Sequence, residues 1–119
     1  MGFLQWVILI VLIAVILSPF LPAKGVTNIS PQEAREKLRD KNVQFIDVRT
    51  PGEYRQNHVP GFQNIPLFDL PNKINKLDKN KEVVVICQSG MRSKRACNLL
   101  RKHGFAKIYN VRGGMNAWR

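Results

Sequence analysis

Cysteine is scarce in this chain of 119 residues: Cys87 and Cys97 are two, too few to argue for a disulfide scaffold. Histidine is as rare, and His58 and His103 stand at no zinc-binding spacing from each other or from the cysteines. No metal is therefore expected. Acidic residues are few, 8 Asp and Glu against 19 Lys and Arg. The first 23 residues lack charge altogether, so the whole net charge of +11 belongs to Lys24–Arg119. There is no Gly-X-Y period, no repeat and no low-complexity tract, which excludes a collagen-like fibre and a solenoid. A hydrophobic content of 45% excludes a wholly disordered polyelectrolyte. The length allows one core.

What stands at the start is apolar. Phe3 to Pro22 read FLQWVILIVLIAVILSPFLP, with Gln5 and Ser18 as the only polar side chains. About 20 such residues suffice for a helix across the hydrocarbon core. Residues 1–23 are therefore expected to be a transmembrane helix of signal-anchor type, and residues 24–119 the folded domain. A cleaved secretory signal is the rival reading, but no Lys or Arg precedes the run, and Leu21-Pro22-Ala23 is a poor cleavage site. A buried core helix would need a larger protein around it. Lys24, Arg35, Lys37, Arg39 and Lys41 follow the segment while no cation precedes it, so the positive-inside bias puts the domain in the cytoplasm of a single-pass protein.

The charged part reads as an α/β domain. Ser30-Pro31-Gln32-Glu33 combines an N-cap, a proline at the first helical position and a capping-box acid. It predicts a helix to about Asp40, after a linker from Lys24 to Asn28. Val43–Val48 and Glu82–Cys87 are short runs rich in β-branched residues, the second apolar enough to be buried on both faces. A helical pattern from Ser93 ends before Gly104, and Lys107–Val111 reads as a further strand. Strands alternating with helices imply a mostly parallel sheet. The stretch from Thr50 to Asn80 is rich in Pro, Gly and Asn, with short helices expected near Glu53 and from Phe68 to Leu77.

Chemistry concentrates where the second strand ends, at Cys87-Gln88-Ser89-Gly90-Met91-Arg92-Ser93. An anion at a strand-to-helix turn meets free backbone N–H groups and the positive end of the helix dipole, which stabilises the thiolate of Cys87. Arg92 adds a positive charge, and Gly90 has no Cβ to clash in a tight cradle. The loop by itself points to a cysteine nucleophile whose adducts carry negative charge, a persulfide or a thiophosphate-like species. Cys97 lies with Ala96, Leu99 and Leu100 on a sheet-facing side of the helix and reads as core.

These segments, taken in order, resemble a known family. Asp47-Val48-Arg49-Thr50-Pro51 with Glu53-Tyr54, then His58-Val59-Pro60-Gly61 with Asn64-Ile65-Pro66, then the Cys87–Ser93 loop, then Arg112-Gly113-Gly114 with Trp118, look like the signatures of a single-domain rhodanese. The resemblance covers about residues 26–119. It implies a three-layer rhodanese-like α/β domain with helices on both sides of the sheet. It also implies a sulfurtransferase in which Cys87 takes a sulfane sulfur as a persulfide and passes it to cyanide, a thiol or a protein cysteine. Cys87 and Arg92 would be catalytic, with Gln88, Ser89, Gly90, Met91 and Ser93 as the anion cradle, and Asp47, Arg49 and Glu53 structural. No prosthetic group is implied. From Cys87 to Arg92 the loop counts six residues, whereas related tyrosine phosphatases and arsenate reductases use one more. Gln88 departs from the family, where Arg commonly follows the cysteine, and this weakens thiosulfate as the favoured donor. Asn57-His58 and Gly61-Phe62 replace the common Gly-His and Gly-Ala.

A cysteine phosphatase, an arsenate reductase or a non-catalytic membrane-tethered interaction module remain the alternatives. His58 falls in a structural motif and His103 at a helix C-terminus, where a cation is stabilised by the dipole, so neither is expected to act in catalysis. The cations are scattered apart from Lys73, Lys76, Lys79 and Lys81. Attraction to anionic lipid headgroups, up to about 1 kcal/mol per cation near the surface, is a more economical reading than nucleic acid. The expected partners are a small-molecule or protein sulfur donor, a thiol acceptor, and a membrane contacted through residues 3–22.

Overall fold

The computed structural model describes residues 2–17 and 25–118. In chain order the elements are α1 (Phe3–Leu17), β1 (Val26–Ile29), α2 (Pro31–Lys37), β2 (Val43–Asp47), α3 (Pro51–Gln56), β3 (Gln63–Asn64), α4 (Leu70–Lys73), β4 (Glu82–Ile86), α5 (Met91–Lys102), β5 (Ile108–Val111) and α6 (Gly114–Ala117). Single 3-10 turns at Leu67–Asp69 and Ile74–Lys76 flank α4.

Helix α1 is apolar on every side and none of its residues is buried. Its 15 residues reach about 22 Å at 1.5 Å per residue, short of the roughly 30 Å hydrocarbon core. No helix among the described residues is long and apolar enough to cross a membrane. Of the transmembrane helix expected over residues 1–23, the structure describes a helix over residues 3–17, while Met1 and residues 18–23 lie outside the described residues.

The sheet is parallel throughout, in the order β1-β5-β4-β2-β3. β4 lies in the middle, its residues 83–86 fully buried, as expected of a strand covered by helices on both faces. One face packs Ile46, Val48, Val83 and Val85 against Leu70 and against Ala96, Cys97 and Leu100 of α5. The other packs Phe45, Val84 and Ile86 against Ala34 of α2, Phe62 and Trp118. The result is the three-layer arrangement expected.

The capping box expected at Ser30 forms, and a second, unforeseen, forms at Thr50. Ser30 Oγ accepts from the Glu33 N–H at 3.1 Å and Thr50 Oγ1 from the Glu53 N–H at 3.2 Å, with each Glu reaching back to its cap. α2 is shorter than the helix to Asp40 read from sequence. The expected linker Lys24–Asn28 is largely strand, with Val26 to Ile29 paired to Ile108 to Val111. Four residues at a sheet edge with one buried side chain give no periodic signal.

The strand order fixes where chemistry can sit. From β2 the chain moves to β3 on one side, and from β4 it moves to β5 on the other, so the switch point lies between β2 and β4. Ligand sites of open α/β sheets form beyond the carboxyl ends of the strands at such a point. Cys87 is the first residue past β4.

Candidate active site

Cys87 is fully buried. Its Sγ accepts the N–H of Gly90 at 2.9 Å, and its thiol donates to Ser93 Oγ at 3.3 Å. The Ser93 hydroxyl in turn donates to the Gly90 carbonyl at 3.0 Å. Gly90 makes this turn possible through a left-handed backbone, φ +102°, which a side chain would strain. The chain doubles back on the sulfur there, and α5 begins at the next residue. Met91, Arg92 and Ser93 are the first three residues of α5, and their N–H groups have no acceptor within the helix. They supply the positive end of a 12-residue helix. Of the loop residues expected to cradle an anion, Gly90 and Ser93 contact the sulfur, while Gln88 is half-buried and Ser89 and Met91 are exposed.

Arg92 reaches a partner that sequence spacing did not reveal. Its Nη1 and Nη2 donate to the two carboxylate oxygens of Glu53 at 2.6 and 2.9 Å. Hydrogen bonding to Arg92 holds the Glu53 carboxyl far below its usual range, at about 2, with Thr50 adding to the effect. Hydrogen bonding to Glu53 raises Arg92, and Cys87 also acts on it through space. The guanidinium therefore ties the first turn of α5 to α3, and the carboxylate offsets its charge near the sulfur.

Beneath the loop lies a buried ion pair, Arg49 Nη2 to Asp47 Oδ2 at 2.8 Å. Arg49 also donates to the carbonyls of Asn57 at 2.7 Å and Glu53 at 3.4 Å, and to Gln88 Oε1 at 3.3 Å. Gln88 Nε2 donates to Asn116 Oδ1 at 2.7 Å. Gln88, the residue after Cys87, is thus pinned from both sides. From above, α6 staples the strand end: the Met115 N–H donates to the Cys87 carbonyl at 2.8 Å and the Asn116 N–H to that of Gln88 at 3.0 Å. Gly114 is what lets α6 approach, since a Cβ there would stand 2.2 Å from the Cys87 carbonyl oxygen. Gly114 and Asn116 are the site residues that reading the sequence missed. The Gly113-Gly114 pair was visible, but its target lies at the end of another strand.

The remaining candidates fall away from the sulfur. Cys97 is buried, and that burial, with Cys87 nearby, pushes its thiol up to about 12. It is a protonated core residue. His58 stacks on Tyr54 at 3.9 Å with Nδ1 against the Tyr54 carbonyl, and His103 Nδ1 meets the Leu99 carbonyl. No group of side chains among the described residues could hold a metal ion.

Comparison with known proteins decides the family. The rhodanese-like domain pattern matches residues 30–119. The chain belongs to the rhodanese-like family. A sulfurtransferase of Allochromatium vinosum is 34% identical over 94 residues, covering 78% of this chain and 88% of that protein. A thiosulfate sulfurtransferase of Pseudomonas syringae is 33% identical over 89 residues, covering 75% and 84%. A Bacillus subtilis relative is 37% identical over 97 residues, and this chain spans only 52% of its length. Among solved structures, a rhodanese-like domain protein of Staphylococcus aureus superposes with a TM-score of 0.72 at 34% identity, covering 78% of this chain and 91% of that one. The rhodanese-like domain thus has sulfurtransferases among its relatives, at moderate identity and over most of their length.

Proposed function

We propose that this rhodanese-like domain moves a sulfane sulfur from a donor such as thiosulfate or a persulfide to a thiol, cyanide or protein acceptor, through a persulfide on Cys87. With thiosulfate, the Cys87 thiolate attacks the outer sulfur, the S–S bond breaks, and sulfite leaves with the bonding pair. The product, Cys87–S–S⁻, carries its charge on the terminal sulfur, amid the N–H groups of Met91, Arg92 and Ser93. An acceptor thiolate then attacks that sulfur, the Cys87 S–S bond breaks, and the Cys87 thiolate leaves, ready for the next cycle. Neither step needs a prosthetic group. Gly90 and the helix N-terminus stabilise charge without supplying a proton, as a sulfur carrier requires.

The observation that carries this reading is the Gly90 N–H on Cys87 Sγ at 2.9 Å, within a six-residue loop that opens α5. Thiosulfate-treated protein should release thiocyanate on adding cyanide, in an amount equal to the loaded Cys87, and Cys87→Ser should release none. Turnover of a phosphate monoester or arsenate with no thiocyanate would favour the phosphatase or reductase alternative instead. The apolar side chains of α1, all exposed, support a second part of the proposal: this segment holds the domain at a membrane, on the cytoplasmic side by the distribution of cations.

A further inference from the structure

Resting on the sulfur-carrier reading, we infer that the rim of the Cys87 loop is a docking surface for an acidic protein that presents a cysteine. Outside α1, the described residues expose only two large apolar side chains, Phe68 at 74% and Met91 at 73%. One stands in the loop and the other on a turn joined to its base. Met91 is the one in the loop, between Cys87 and Arg92. Phe68 sits on the 3-10 turn Leu67–Asp69, which packs on α5. That turn is tied to the site through backbone: the Leu67 N–H donates to the Val48 carbonyl at 3.1 Å and the Val48 N–H to the Ile86 carbonyl at 3.0 Å, one residue before Cys87. A domain that buries its other large apolar side chains leaves these two bare, one in the Cys87 loop and one on the turn tied to its base through Val48 and Ile86.

Charge decides what covers them. Lys94 and Arg95 of α5 are exposed, as are Arg55 at the end of α3 and Arg112 before the Gly113-Gly114 turn, and none of the four joins an ion pair among the described residues. The neighbouring acids are already engaged: Glu53 by Arg92, Asp47 by Arg49, and Asp69 by Lys73. The rim is apolar at its centre and cationic around it, which fits a partner with apolar side chains about its cysteine and carboxylates farther out. Burial of Cys87 points the same way. Its persulfide lies recessed, so a protein thiol reaches it only from a protruding segment that the rim can grip. Two apolar anchors make a small contact, suited to a partner that leaves after each transfer. In the transfer, the partner thiolate attacks the terminal sulfur, the Cys87 S–S bond breaks, and the partner departs as its own persulfide.

The test uses the full chain in mild detergent and two short peptides, each with one cysteine between leucines, one bearing glutamates and the other lysines. From the loaded protein, the glutamate peptide should take sulfur about tenfold faster than the lysine peptide at low salt, with the gap closing as salt is added. Phe68→Ser should slow the glutamate peptide about fivefold while the cyanide rate is unchanged, and Lys94→Glu with Arg95→Glu should invert the preference. Serine versions of the peptides, titrated onto unloaded protein, read docking apart from transfer. Equal rates and equal binding for the two peptides, with normal cyanide turnover, would overturn the docking surface and leave the sulfur carrier standing. Failure to load Cys87 at all would overturn the carrier reading instead. Phe68→Ser dissociating a dimer, or releasing the chain from vesicles, would also overturn the proposal by showing another occupant.

Discussion

At the scale of single residues, the site depends on groups whose partners lie far off in sequence. The contact between Gly90 and Cys87 was legible because a cysteine and a left-handed glycine three residues on constrain each other locally. The hold of Glu53 on Arg92 was not, since it spans 39 positions and needs the fold to bring α3 to α5. Glu53→Gln tests what that hold contributes. The carboxyl titrates at about 2 in the folded chain against 4.5 as its ordinary value, so its contribution is fully present above about pH 4.5 and is lost as pH falls towards 2. Both partners are about one-third exposed, which keeps the pair near 1 kcal/mol. Urea unfolding should show Glu53→Gln less stable by about that amount at pH 7, with the difference shrinking below pH 4.5. A difference constant down to pH 2 would refute the ion pair as its source. Because Arg92 would then be free, persulfide loading by thiosulfate should survive in this variant.

At the scale of elements, the pieces with a residue pattern of their own were readable, even the four-residue β5, and those without one were not. β4 announced itself by four consecutive β-branched residues, Val83 to Ile86, before Cys87, and α2 by its capping signature. β1, β3 and α6 are four residues or fewer, and each owes its form to a neighbour: β1 to β5, β3 to β2, and α6 to the carbonyls of Cys87 and Gln88. α6 therefore works as a staple on the Cys87 loop, and Gly114 sets its distance. Gly114→Ala puts a methyl 2.2 Å from the Cys87 carbonyl oxygen and adds strain at φ +57°. A loss of about 2 kcal/mol or more in stability is expected, with sulfur loading slowed beyond what Ser30→Ala causes, a substitution that removes a cap distant from the loop at a cost of about 1 kcal/mol. Equal loading rates for both variants would show that α6 does not position the nucleophile.

At the scale of the whole molecule, the chain joins two pieces with opposite relations to water. The rhodanese-like domain buries its apolar side chains on both faces of a parallel sheet, whereas α1 buries none. Nothing in the domain's core rests on α1, so removing residues 1–24 should leave the midpoint of urea unfolding unchanged and sulfur loading intact while abolishing flotation with phospholipid vesicles. A truncated chain that still floats would place membrane contact on the basic domain surface. The fold's most consequential feature is the meeting of its central strand with α5 around one buried sulfur, and everything said of function follows from it. Intact mass of the full chain after exposure to thiosulfate tests this most directly. The account predicts a gain of one sulfur atom per chain, removed by cyanide and absent in Cys87→Ser; a mass that does not change, or a gain that persists in Cys87→Ser, would contradict it.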